Sequence, residues 1–175
     1  MSEKLVPAFR FRDLVTPPGG TIAAHRRVIE SSGSAWWGWW KRQFEVVPRE
    51  SFIYLQEQIE GQGVQLGLLV DTGMQKIYQA KIIGIRVALD EIPIPSPDHK
   101  LTPGYYQSKS YSAWFQITDI SDVNLADLHL VLHSLPTLPD SEDVSHEELI
   151  AKRIEKVSDL RKTDATFWIF DNTFI

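Results

Sequence analysis

Apolar positions recur along the chain with two periods, and the places where the period changes mark its elements. Phe9 and Phe11 alternate with Arg10 and Arg12 between Val6 and Leu14, which predicts a half-buried strand. Thr16-Pro17-Pro18-Gly19-Gly20 interrupts it, and Thr21 is placed to cap a helix that carries Ile22, Val28 and Ile29 and stops near Gly33. Spacings of three and four among Phe52, Leu55 and Ile59 predict a second helix from Pro48 to Glu60, ended by Gly61-Gln62-Gly63. Two strands follow, Val64 to Val70 and Met74 to Leu89, joined by Asp71-Thr72-Gly73 with glycine expected at the positive-φ position. The second arm is too long to stay flat, and Gly84 is where a bend or bulge is expected. Strands at Tyr111 to Ile120, Leu128 to Leu135 and Ala165 to Phe170, with a helix from Ser145 to Lys162, complete the pattern.

One stretch breaks the regularity. Ser34-Ala35-Trp36-Trp37-Gly38-Trp39-Trp40-Lys41-Arg42 puts four of the six tryptophans into five consecutive positions. On a strand, Trp37 and Trp39 point to one face, and Trp36, Gly38 and Trp40 to the other. One face serves the core. The other needs a covering layer, or it lines a cleft in which indoles flank a glycine gap that admits something planar. Trp37 and Trp39 are taken as the ligand-facing pair and Trp36 and Trp40 as the core pair, with the reverse equally compatible with alternation. Residues 90 to 104 carry Pro93, Pro95, Pro97 and Pro103, which exclude a regular element and suggest a surface lid or crossover. That loop delivers Tyr105 and Tyr106 next to the strand holding Trp114, so these three join the four indoles as candidate pocket residues.

Length, charge and candidate chemistry narrow the picture. A chain of 175 residues is one domain, 1–175, or, in an alternative reading, the N-terminal sensor module of a longer protein. The absence of cysteine removes disulfides, thiolate metal sites and cysteine nucleophiles, and fits a reducing cytoplasm. Without a leader-like start or an apolar run near eighteen residues, the chain reads as soluble and cytoplasmic, with no membrane partner. A net charge of -5 argues against salt-driven, general nucleic-acid binding but leaves room for a local basic cleft. His25, Arg26, Lys41 and Arg42 are the candidates for phosphate or other polar contacts, and the glycines before the first helix make a weak anion site. His25, His99, His129, His133 and His146 form no metal-ligand pattern, and neither a metal nor a cofactor is expected.

The strands outnumber the helices, which gives a mixed α+β fold: a small curved or barrel-like sheet with helices packed on its outside and ends. The helix leading into an aromatic strand, the arm Tyr78-Gln79-Ala80-Lys81-Ile82-Ile83-Gly84-Ile85, the proline-rich crossover and Ser112-Ala113-Trp114-Phe115-Gln116-Ile117-Thr118-Asp119-Ile120 together resemble the PUA-like superfamily. Its EVE, YTH and ASCH members are nearest in style. The resemblance covers element order over residues 20 to 170, and individual residues only in the two aromatic strands. It implies a small barrel with flanking helices and, in the EVE and YTH branches, a modified nucleobase held in a cage of aromatic rings.

Three functions follow. The first is a non-catalytic recognition or sensor domain that binds a nucleobase, a nucleotide or a modified base of nucleic acid on the indoles, with a nucleotide-like small molecule or modified nucleic acid as partner. The second is a protein interaction or oligomerisation module using the exposed tryptophan strand, with an effector domain or another protein as partner. The third, a minor alternative, is a small hydrolase using His25 or the carboxylates of Asp13 and Asp119.

Overall fold

A computed structural model describes residues 5–43, 45–88, 90–123 and 166–171. Among the described residues the order is β1 (Leu5–Phe11), α1 (Gly20–Ser32), β2 (Ala35–Trp39), α2 (Arg49–Gln62), β3 (Gln65–Asp71) and β4 (Lys76–Val87). Then come β5 (Ile94–Pro95), two 3-10 turns at His99–Leu101 and Gly104–Tyr106, β6 (Ser110–Tyr111), β7 (Ala113–Asp122) and β8 (Phe167–Asp171). The expected strand from Leu128 to Leu135 and helix from Ser145 to Lys162 lie outside the described residues.

Six strands form one mixed sheet in the order β2-β7-β4-β3-β1-β8, with β1 and β3 parallel and the other neighbours antiparallel. Its curvature starts in β4, whose register against β7 shifts between Lys81 and Ile82 and again between Ile82 and Gly84. Extra residues in one strand of a pair bend it and raise its twist. A Cβ at Gly84 would press on the Gln116 side chain at 3.1 Å, so the bend falls where the partner strand leaves no room.

The curl brings the two ends of the sheet together. β2 and β8 are opposite edges, yet the Trp39 and Phe167 rings stand 5.1 Å apart, and Trp39 Nε1 donates to Thr166 Oγ1 at 3.0 Å. Thr166 in turn donates through Oγ1 and its backbone N–H to the Glu45 carboxylate at 2.6 and 2.9 Å, while its carbonyl accepts from Arg10 N–H. This clasp turns the sheet into a half-barrel.

The concave face holds the core: Phe9, Trp37, Trp39, Leu69, Tyr78, Ala80, Ile82, Phe115, Ile117 and Phe167. From α2, Phe52, Leu55 and Ile59 join that cluster, and Phe52 meets the rings of Trp39, Phe115 and Phe167. Its three-and-four spacing thus does what the sequence implied, but α2 packs into the curl rather than against its outside. The convex face over β2 and β7 is covered by the proline-rich segment. Trp114 Nε1 donates to the Ile94 carbonyl at 2.8 Å, and β5 pairs with β6 above it. The segment is therefore a cover pinned through short elements of its own, which the prolines were expected to forbid.

Two local expectations change. The β3–β4 connection runs longer than expected, and its positive φ sits at Gln75 (55°), not Gly73. Asp71 Oδ1 accepts the Gly73 and Met74 N–H groups, which organises the turn without a left-handed glycine. α1 begins at Gly20 rather than on a threonine cap, and ends at Gly33 (φ 88°), whose N–H donates to Ile29 O.

Candidate functional site

Among the described residues the half-barrel does not close along its whole height. β8 pairs with β1 only from Leu5 to Phe9, so Arg10, Phe11 and Arg12 carry the β1 edge on past the last β8 partner. Facing that edge is the outer edge of β2, unpaired among the described residues, which has β7 on its other side. Between the two lies a slot of about 190 Å³, lined by Phe9 to Arg12, Leu14, Trp37 to Trp40, Arg42, Tyr106 and Thr166.

Alternation divides the lining into a floor and a lip. Phe9, Phe11, Trp37 and Trp39 point into the curl and form the floor, where the Phe11 and Trp37 rings meet edge to face at 5.1 Å. Arg10 and Arg12 point outward on the β1 side, and Gly38 and Trp40 outward on the β2 side, with Arg42 just beyond. Trp37 and Trp39 are 2% exposed and Trp40 is 63% exposed, while Tyr106 is half-buried. Access for a stacking ring therefore falls to Trp40 and Tyr106. Among the described residues the lining contains three arginines and no carboxylate.

Of the residues singled out from sequence, the slot gathers Trp37, Trp39, Trp40, Tyr106 and Arg42. Trp36 is buried on the convex face, its register partner Gln116, and it is not part of the lining. Trp114 is fully buried beneath the proline-rich cover. The face assignment comes out reversed: Trp37 and Trp39 are the core-facing pair, and Trp40 is the exposed indole. The gap at Gly38 is already filled. Its convex side is covered by the Tyr111 ring, which a Cβ at position 38 would overlap, and Tyr111 packs in turn on Tyr106 and Trp114. The planar group expected in the gap is a side chain of this protein.

The four polar candidates also separate. His25 is fully buried, its ring 4.6 Å from Trp37 and 5.5 Å from Tyr106. Its Nδ1 lies 2.9 Å from the Thr21 carbonyl and so carries the proton of the neutral ring. Burial pulls its pKa down to about 4, against the opposing pull of the Thr21 and Trp36 backbone. Its Nε2 is buried without a hydrogen-bond partner among the described residues. A histidine held neutral in that position supports the slot from behind and offers a phosphate nothing. Arg26 donates to the Ile120 carbonyl and pairs with Asp122 at 2.8 Å, away from the slot. Lys41 Nζ donates to the Glu45 and Arg42 carbonyls. The Tyr105 ring packs tilted against Tyr106, centroids 4.2 Å apart, and burial raises the hydroxyl pKa of both.

The anion site expected at the start of α1 is occupied from within. Asp13 accepts from the N–H groups of Gly19 and Thr21 at 2.8 and 3.0 Å and from Thr16 Oγ1 at 3.2 Å. Partial burial pushes its pKa up, but these hydrogen bonds outweigh that and hold the carboxyl below its usual range. Among the described residues no group of three or more His, Cys, Asp or Glu could hold a metal ion, and no helix is long and apolar enough to cross a membrane. Sequence reasoning missed Arg10, Arg12 and Phe11, although the Phe-Arg alternation was in view; what it lacked was the neighbouring strand. Thr166 and Glu45 carry no local signal.

A six-stranded mixed sheet curled into a half-barrel, with two helices packed on it, is α+β architecture of the PUA-like type. Residues 8–173 match the family model described as Pua-like, and the chain belongs to that family. No curated protein and no solved structure matches it. PUA-like domains generally bind nucleic acids and are non-catalytic binding domains.

Proposed function

We propose that this protein is a non-catalytic recognition domain that seats a nucleobase, alone in a nucleotide or as a base of nucleic acid, modified or not, in the slot between β1 and β2. The observation that supports this most is the slot's composition. In a chain of net charge -5, an aromatic floor is rimmed by three arginines, with no carboxylate among the described lining residues. Such a site favours a flat apolar body joined to an anion. Size points the same way: about 190 Å³ lies below the roughly 300–1,000 Å³ of pockets for drug-sized ligands. One ring fits, and the sugar and phosphate remain at the lip beside the guanidinium groups.

Binding of a single nucleotide should be weak, because one stacked base contributes about 1–3 kcal/mol. The interaction-module reading loses ground, since only Trp40 of the four clustered indoles is exposed. Titration with the common nucleoside monophosphates, followed by tryptophan fluorescence at low salt, tests the proposal. Saturable quenching is expected, weakened at least severalfold by Tyr106→Ala and by Arg12→Glu. An absence of saturable response to nucleotides and to short oligonucleotides alike would refute it.

A further inference from the structure

Resting on the reading just given, we infer that Trp40 is a second stacking subsite, for the base next to the one in the slot, so that the preferred ligand is a single strand rather than a free nucleotide. The slot, at about 190 Å³, has room for one ring. Trp40 lies at its lip, on the outward side of β2, and is 63% exposed while the three neighbouring indoles are buried. A ring seated below leaves the outer face of this indole uncovered. The next flat group along a strand covers it.

The cations follow the same line. Arg10 and Arg12 stand on the opposite lip about 7 Å apart, the two-residue repeat of a strand, and Arg42 lies two residues past Trp40. Positive charge therefore borders both sides of the slot, where a phosphodiester leaving the seated base would pass. Direction is also constrained. The Thr166 clasp to Glu45 and Trp39 stands at one end of the slot, so among the described residues the open directions are outward over Trp40 and toward Leu14, itself 60% exposed. An intact duplex keeps its base faces stacked inside, so a base would first have to leave the stack, at a cost that a single strand does not incur. Sequence tolerance is expected for the base on Trp40, since every base offers a π-face.

The test uses the full chain and pairs of ligands with equal charge. For each of the four bases, a 5′-phosphorylated dinucleotide is compared with its counterpart in which the second nucleotide is abasic, at one fixed salt concentration. The expected result is between about fivefold and about a hundredfold tighter binding of the intact dinucleotide. Trp40→Ala should bring that ratio to about one, and Trp40→Tyr should restore most of it; near-native far-UV circular dichroism and melting show that each variant is folded. Binding of both ligands with a wild-type ratio near one overturns the second subsite and leaves the slot standing. A ratio unchanged in Trp40→Ala overturns the assignment to Trp40. If neither ligand binds, the slot itself is not a nucleotide site and the inference falls with it.

Discussion

Replacing Trp39 should damage the fold far more than replacing Trp40, one residue away and of the same type. Trp39 is 2% exposed, with its ring 5.1 Å from Phe167 and 5.9 Å from Phe52. Truncation to alanine removes a buried aromatic and leaves a cavity between strands from opposite ends of the sheet, at a cost of about 3–5 kcal/mol. Losing the Nε1–H donated to Thr166 adds about 1 kcal/mol. Thr166 keeps its own bonds to Glu45, so no buried donor is stranded. For a chain of this length each kcal/mol moves the melting temperature by about 2–4 °C, which puts Trp39→Ala roughly 8–24 °C below wild type. Trp40→Ala, at an exposed position, should stay within about 0.5 kcal/mol. Urea unfolding followed by far-UV circular dichroism is the suitable assay, because removing an indole changes the fluorescence signal itself. Trp39→Phe separates the two contributions: it keeps most ring contact and should cost only about 1–2 kcal/mol. If Trp39→Ala costs less than about 1 kcal/mol, or no more than Trp40→Ala, the two sheet edges are not joined through this indole and the clasp is wrong.

Two further outcomes follow from buried groups. His25 has a folded pKa of about 4 against 6.5 unfolded, so between those values the unfolded chain binds the extra proton. Stability present at neutral pH is lost as pH falls from about 6.5 to about 4, by about 3 kcal/mol. Asp71, whose carboxyl burial pushes up, acts in the opposite sense. Comparing wild type with His25→Gln by urea unfolding at several pH values isolates the histidine, and equal slopes in the two proteins would contradict it. Gly38→Ala drives a methyl group into the Tyr111 ring and should cost about 1–3 kcal/mol in the same assay. Combined with Tyr111→Ala it should cost less than the two changes added; strict additivity would mean that the ring does not occupy the gap.

The hairpin, the bulge near Gly84, both described helices and the mixed α+β class were legible because each has a local cause: period, capping or turn chemistry. The tryptophan strand was legible only by halves. Alternation showed that Trp37 and Trp39 oppose Trp36 and Trp40, but which side is concave is decided in β4, three elements later, where register shifts bend the sheet. The Gly38 gap carried a real signal with the wrong occupant, since Tyr111 arrives from the far side of the proline-rich cover. His25 looked like a phosphate contact beside Arg26 and Arg27. On the helix it turns inward to the Thr21 carbonyl and the Trp37 ring, and burial removes its charge. A lone threonine such as Thr166 announces nothing, because its importance comes from being the point where β1, β2 and Glu45 meet.

Why the candidate site falls where it does can be argued from strand pairing alone. A closed barrel has no edges, and an open sheet has two to protect. Among the described residues this half-barrel hides one end of its seam with the Thr166 clasp and leaves a few residues of β1 and β2 unjoined above it. Exposed strand edges invite another β-strand, and the outward Arg10 and Arg12 discourage such pairing through charge. The same guanidinium groups, opposite an exposed indole, suit an anionic ligand with flat rings. Rigidity comes from below, where the floor rings are packed into the core and Thr166 fixes the distance between the edges. A ligand entering the slot then has little left to order except itself, and that lowers the entropic cost of binding at a site too small to hold its ligand by buried area. Weakening the clasp by Thr166→Val should accordingly lower nucleotide affinity without touching any group on the lip.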